Sequence, residues 1–153
     1  MTQPLSAHLE KAGPNPSISA QMVCAAEARK EIAAVLEAQA TRVTRPTWND
    51  HLYSCTYQYP KGSFTLSVKE LVSEQTTTDY FDSLERKYGR AENLNSLGQG
   101  AFIARNGDAV VRKDYKVLLV DVHAIGSMFQ PLLRPSDVAQ SVATVILGCW
   151  TGA

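Results

Sequence analysis

The sequence predicts an α+β fold: one antiparallel sheet of about five strands flanked by helices, in the order α-β-β-α-β-β-β-α. Three observations predict it. Apolar residues recur at helical spacing in three separate stretches. Between them run segments that alternate apolar and polar residues, in pairs joined by short turn signals. The chain has 153 residues, enough for one domain that buries roughly 68–70 % of its unfolded surface.

Residues 1–16 contain Pro4, Pro14 and Pro16 and lack apolar periodicity, so they read as a flexible tether. Residues 17–153 read as a single globular domain. A helix is expected from Ser17 or Ser19, either of which can cap it, to about Gln39. Its buried stripe is Ala25, Ala28, Ile32, Val35 and Leu36, with Cys24 beside it and Glu27, Lys30, Glu31 and Glu37 in solvent. The segment 42–50 (RVTRPTWND) then leads into strands.

Residues 51–59 (HLYSCTYQY) and 64–72 (FTLSVKELV) alternate, and 60–63 (PKGS) has turn chemistry. Pairing Tyr59 with Phe64, Tyr57 with Leu66 and Cys55 with Val68 puts the large side chains of both strands on one face. A helix over 76–89 follows, with threonines at its start, Asp79 and Asp82 in its early turns, Arg86 and Lys87 in its last turn and Gly89 as its stop. Phe81, Leu84 and Tyr88 form its buried stripe.

Residues 90–100 read as a loop. Asn106-Gly107 between 101–105 and 108–112 is a hairpin signal of the type I′ kind. Residues 116–123 (KVLLVDVH) are the most apolar strand. Leu118, Val120 and Val122 line one face and Val117 and Leu119 the other, so this strand belongs in the centre. Ser136 is the expected cap of a last helix that turns Val138, Val142, Val145 and Ile146 inward.

Fifteen basic and fifteen acidic residues cancel, against the basic excess of nucleic-acid binders and against electrostatic docking on anionic membranes. No apolar run approaches the ~20 residues of a membrane span, and residues 1–19 have no signal-peptide core. Cys24, Cys55 and Cys149 form no CxxC or Cys/His cluster with zinc spacing, and no metal or cofactor is expected.

A Cys55–His51 dyad fails on geometry, because four strand residues span roughly 13 Å and a nucleophile needs its base at ~3 Å. Cys55 with His123 is a further catalytic option, and Asp121 with His123 on one strand face is an acid/base option. A strand-end polar pair is the plainer reading of the latter. The glycines of 96–102 (SLGQGAF) precede a strand rather than a helix, so they read as a tight turn and not as a phosphate cradle. Arg105, Arg112, Lys113 and Lys116 are expected together at one end of the second hairpin, as an anion or partner contact or as a solvated edge interleaved with Asp108 and Asp114. Trp48, Tyr53, Tyr57, Tyr59 and Phe64 surround the first hairpin, and Trp48 with Phe129 is the candidate aromatic contact surface.

Five stretches, MVCAAEARKEIAAVL, PTWNDHLYSCTYQYPKGSFTLSVKEL, LGQGAF, VVRKDYKVLLVDV and VATVILGCWTG, together resemble a family of uncharacterised secreted lipoproteins of actinobacteria over about residues 20–152. That family is similar to those with a PsbP-like α/β/α sandwich fold. The resemblance implies export, anchoring through an acylated N-terminal cysteine absent from this chain, and a tether before the domain. It implies no catalytic residue, cofactor or nucleic-acid partner. It also implies a disulfide between a first-helix and a first-strand cysteine, which here are Cys24 and Cys55. Cys24–Cys149 is the rival pairing and Cys55–Cys149 the third. The expected function is a non-enzymatic binding or scaffold module of the cell envelope, contacting an envelope protein or a small ligand. The alternatives are a carrier with a pocket between sheet and helices, and a hydrolase-like enzyme using Asp121, His123 or Cys55.

Overall fold

The computed structural model describes residues 10–150. Its elements in chain order are α1 (Ile18–Met22), α2 (Ala26–Leu36), β1 (Arg42–Val43), β2 (Thr47–Asn49), β3 (Leu52–Tyr59), β4 (Gly62–Glu70), α3 (Glu74–Tyr88), β5 (Arg90–Asn93), β6 (Gly100–Ala104), β7 (Ala109–Lys113), β8 (Lys116–Asp121) and α4 (Pro135–Trp150). The strands form one open sheet in the order β1-β3-β4-β8-β7-β6-β5, with β2 also on β3. Its pairings are antiparallel. The α+β class therefore stands, with eight strands among the described residues in place of the five expected. The three additional strands are β1, β2 and β5. They are two to four residues long, too short for a period of two to show.

Side chains alternate between the two faces of the sheet. Cys55, Tyr57, Phe64, Leu66, Leu118 and Val120 belong to the large core under α1, α2 and α4. Phe102, Val110 and Val117 face the other way, under Phe81 and Leu84 of α3. Strand β8 is central and apolar on both faces, as its composition predicts. On the α3 side, β3 and β4 carry hydroxyls instead, and these bond in cross-strand pairs: Ser54 with Ser67 at 3.1 Å and Thr56 with Thr65 at 2.8 Å.

The first helix is broken where one continuous helix is expected. Ser17 caps α1 by accepting from the Ala20 N–H. The chain then leaves helical geometry, with Ala25 extended, before α2 begins. The break frees carbonyls that other groups take. The Tyr57 hydroxyl donates to Val23 O at 2.7 Å, and Arg29 Nε donates to Cys24 O at 2.9 Å. Local apolar periodicity runs straight through this break, because the groups that stabilise it come from β3 and from the next turn of helix.

The first hairpin is offset by two residues from the expected register. Tyr59 faces Gly62, Tyr57 faces Phe64 and Cys55 faces Leu66, because the loop has only two residues, Pro60 and Lys61. An offset of two preserves the faces, so the core assignment holds although the partners change. Gly62 lets the segment after β8 pass close to the hairpin: a Cβ there would collide with the Ile125 carbonyl oxygen.

Helix α3 starts earlier than expected. Ser73 is its cap and forms a reciprocal capping box with Thr76. Asn106 lacks the positive φ a type I′ turn requires, and Gly107 alone has it at +97°. The Gly107 N–H donates to Ala104 O, so the turn is a longer loop closed by a left-handed glycine. Helix α4 begins at Pro135, which suits a first helical position. Ser136 lies inside that first turn, and the Arg134 N–H is taken by Asp137 instead.

The tether expected over 1–16 is pinned to the domain over residues 10–16, and residues 1–9 lie outside the described residues. Ala12 N donates to Leu71 O, and Trp48 Nε1 donates to Pro14 O. Buried Lys116 reaches Glu10 O at 3.1 Å and Glu70 at 3.8 Å, while the other Glu70 oxygen accepts from Ser17 N.

Candidate functional site

Cys24 and Cys55 form a disulfide with Cα atoms 6.2 Å apart. Both are buried. The bond joins the α1–α2 break to the middle of β3, so Cys55 is neither a nucleophile nor a metal ligand. Cys149 is a free thiol, hydrogen-bonded to Glu31 at 3.1 Å. Burial, reinforced by Glu31, pushes its pKa up to about 12, so it is an inert thiol. A disulfide of this kind fits an oxidising, extracellular setting. Among the described residues no helix is long and apolar enough to cross a membrane.

Asp121 and His123 do meet. Asp121 Oδ1 accepts both the His123 main-chain N–H at 2.9 Å and the ring Nδ1 at 2.6 Å. That bond raises the pKa of the exposed imidazole. Asp121 pairs with Thr65 and Cys55 with Leu66, so Asp121 and Cys55 project from opposite faces of the sheet. Asp108 lies near the pair and is committed to structure: its oxygens accept from Val122 N and from the Asn106 amide. Burial raises its pKa. Among the described residues no group of three or more His, Cys, Asp or Glu side chains could hold a metal ion.

Of the four expected cations, Arg112, Lys113 and Lys116 lie together at one end of β7, where Lys113 pairs with Lys116, and Arg105 does not join them. Lys116 is 0 % exposed and holds Glu10 and Glu70. Lys113 approaches Asp114 at 3.9 Å. Arg105 sits at the other end of β7, about 15 Å away by strand length, where it lines an open surface with Asp82, Glu85, Arg86 and Arg90. Arg90 there makes two bonds to Glu85, which lowers the Glu85 pKa. Trp48 and Phe129 are also apart. Trp48 pairs with Tyr53 near the start of β3, and Phe129 packs on Tyr59 at its end. The six residues between span roughly 20 Å.

The structure instead builds a groove that these residues do not mark. It lies between α2 and the sheet edge at β1, with a volume of about 470 Å³, within the usual ~300–1,000 Å³ of small-molecule sites. One wall is the α2 stripe Ala26, Arg29, Lys30 and Ala33, at positions i, i+3, i+4 and i+7 of one helix face. The alanines leave the space, and the two cations stand between them. The opposite wall is Ala40, Arg42 and Val43, and Tyr57 and Tyr59 of β3 form the floor. Among the described residues no carboxylate lines the groove. The Tyr59 hydroxyl is buried and has no hydrogen-bond partner among the described residues, and burial pushes its pKa up to about 12, so it keeps its proton.

The signal for this wall was present in the sequence as a second helical stripe beside the apolar one. Its partner wall was not, because a two-residue strand has no readable pattern. No protein-family model, curated protein or solved structure matches the chain.

Proposed function

We propose that this chain is a non-enzymatic ligand-binding module of the cell envelope and that the groove between α2 and β1 is its binding site. The observation that carries the reading is the groove: a concave site with an apolar and aromatic floor, cations at its rim and an unused buried hydroxyl. Such a mixture of apolar surface and a few polar groups is typical of small-molecule sites. The disulfide and the lipoprotein resemblance support an exported setting, with anchoring through an acylated cysteine N-terminal to this chain. The catalytic alternative has lost its thiol to the disulfide, and the Asp121–His123 pair is part of a strand-end turn.

Amide chemical-shift mapping with a mixed set of small acidic, neutral and basic fragments tests this reading. Binding fragments should shift amides of Lys30, Ala33, Thr41 and Val43. Fragments that bind only elsewhere, for example at the hydroxyl-bearing face of β3 and β4, would refute the groove as the site.

A further inference from the structure

We infer that the groove is selective for an organic anion that pairs a carboxylate or phosphate head with an apolar body. This rests on the groove being the binding site and adds the ligand's chemistry. Three residues that line it, Arg29, Lys30 and Arg42, are cationic, and among the described residues none that lines it is acidic. Arg42 pairs with Gln58, so its side chain leaves the sheet on the face opposite Tyr57 and Tyr59, and the two α2 cations supply the charge. The groove is therefore positively charged in a chain of zero net charge. The charge is not spent locally. Arg29 uses Nε for Cys24 O, which holds its guanidinium by the break and leaves its two terminal nitrogens to offer donors.

The second, independent observation is Tyr59. The residue is 9 % exposed and lines the groove floor, and its hydroxyl has no partner among the described residues. Leaving a buried hydroxyl unpaired is unfavourable. An anionic oxygen arriving from the groove supplies the missing acceptor. The remaining surface specifies the body of the ligand. Ala33, Ala40, Val43 and the tyrosine rings offer apolar contact that inorganic phosphate cannot use. A cationic ligand of the same shape would meet the like charges of Arg29 and Lys30 and is selected against.

The test titrates the oxidised protein with four probes below their micellar concentrations: decanoate, decyl phosphate, decyltrimethylammonium and inorganic phosphate. Decanoate and decyl phosphate should bind and shift groove amides, with affinity that falls as salt rises. Preference between these two separates a carboxylate from a phosphate ligand. Decyltrimethylammonium should not bind, and inorganic phosphate should bind at least about tenfold more weakly than decyl phosphate. Lys30→Gln, at an exposed position, should weaken anion binding about tenfold. Tyr59→Phe should weaken it a few-fold without lowering the melting temperature, because the hydroxyl has no hydrogen-bond partner among the described residues.

Equal binding of the cationic probe, or unchanged affinity in Lys30→Gln and Tyr59→Phe, overturns the assignment of an anion. If neutral fragments occupy the groove and the two decyl anions do not, the binding site stands and the anion chemistry falls. If no probe reaches the groove, both fall.

Discussion

Reducing the Cys24–Cys55 disulfide should lower stability by about 3.7 kcal/mol. The bond closes a loop of 31 residues, and the chain-entropy relation for a loop of that length yields about 12 cal/mol/K, or that free energy at 25 °C. The entropy of unfolding for a chain of this size is about 0.32 kcal/mol/K near the transition. The expected fall in melting temperature is therefore about 11 °C. Differential scanning calorimetry of the oxidised and reduced Cys149→Ala protein measures it without thiol exchange from the third cysteine. The same sequence is compared with itself, so packing changes from substitution do not enter. The Cys24→Ala/Cys55→Ala variant should melt lower still, since both cysteines are buried and each loses its sulfur from the core. A fall below about 3 °C on verified reduction would refute the reasoning. It would mean that the α1–α2 break and β3 hold each other through the Tyr57–Val23 bond and core packing even in the unfolded ensemble.

Other perturbations test the remaining features. Lys116→Met strands Glu70 in the core and should cost about 3–5 kcal/mol by urea denaturation. Adding Glu70→Leu should recover part of that loss, although Ser17 N then loses its acceptor. Gly98→Ala should destabilise by at least about 1–3 kcal/mol, because φ is +61° and the new Cβ would lie 2.5 Å from the Arg112 carbonyl oxygen. Gly100→Ala, with Phe81 Cζ at 3.6 Å and no positive φ, should stay within about 1 kcal/mol. The His123 pKa, followed by NMR, should lie above the ordinary 6.5 and return towards it in Asp121→Asn. Because the folded-state value is raised, the stabilisation is complete below pH 6.5 and is lost as pH rises through the folded value.

Wherever burial alternates along a long segment, the sequence was legible. Strands β3, β4 and β8 and the stripes of α3 and α4 show it, and β8 could be placed at the centre because it is apolar on both faces. The face assignment of the first hairpin survived a two-residue error in register, since the side-chain period is two. Turn type was less legible: Asn106-Gly107 permits more than one loop, and strand twist and neighbouring elements select among them.

What the sequence by itself determined is the class of the fold and the inward faces of its long strands. Only tertiary structure decided the rest. It broke the first helix, because the freed Val23 carbonyl is satisfied by Tyr57 of β3, roughly thirty residues away. It buried Lys116, which any local reading leaves in solvent, by bringing Glu70 and the Glu10 carbonyl to it. It formed the groove, because Arg29 and Lys30 meet Tyr59 only when α2 lies along the sheet edge. Helical and strand periodicities record which face of an element is dry. They do not record which two faces meet, and a binding site is made where they do.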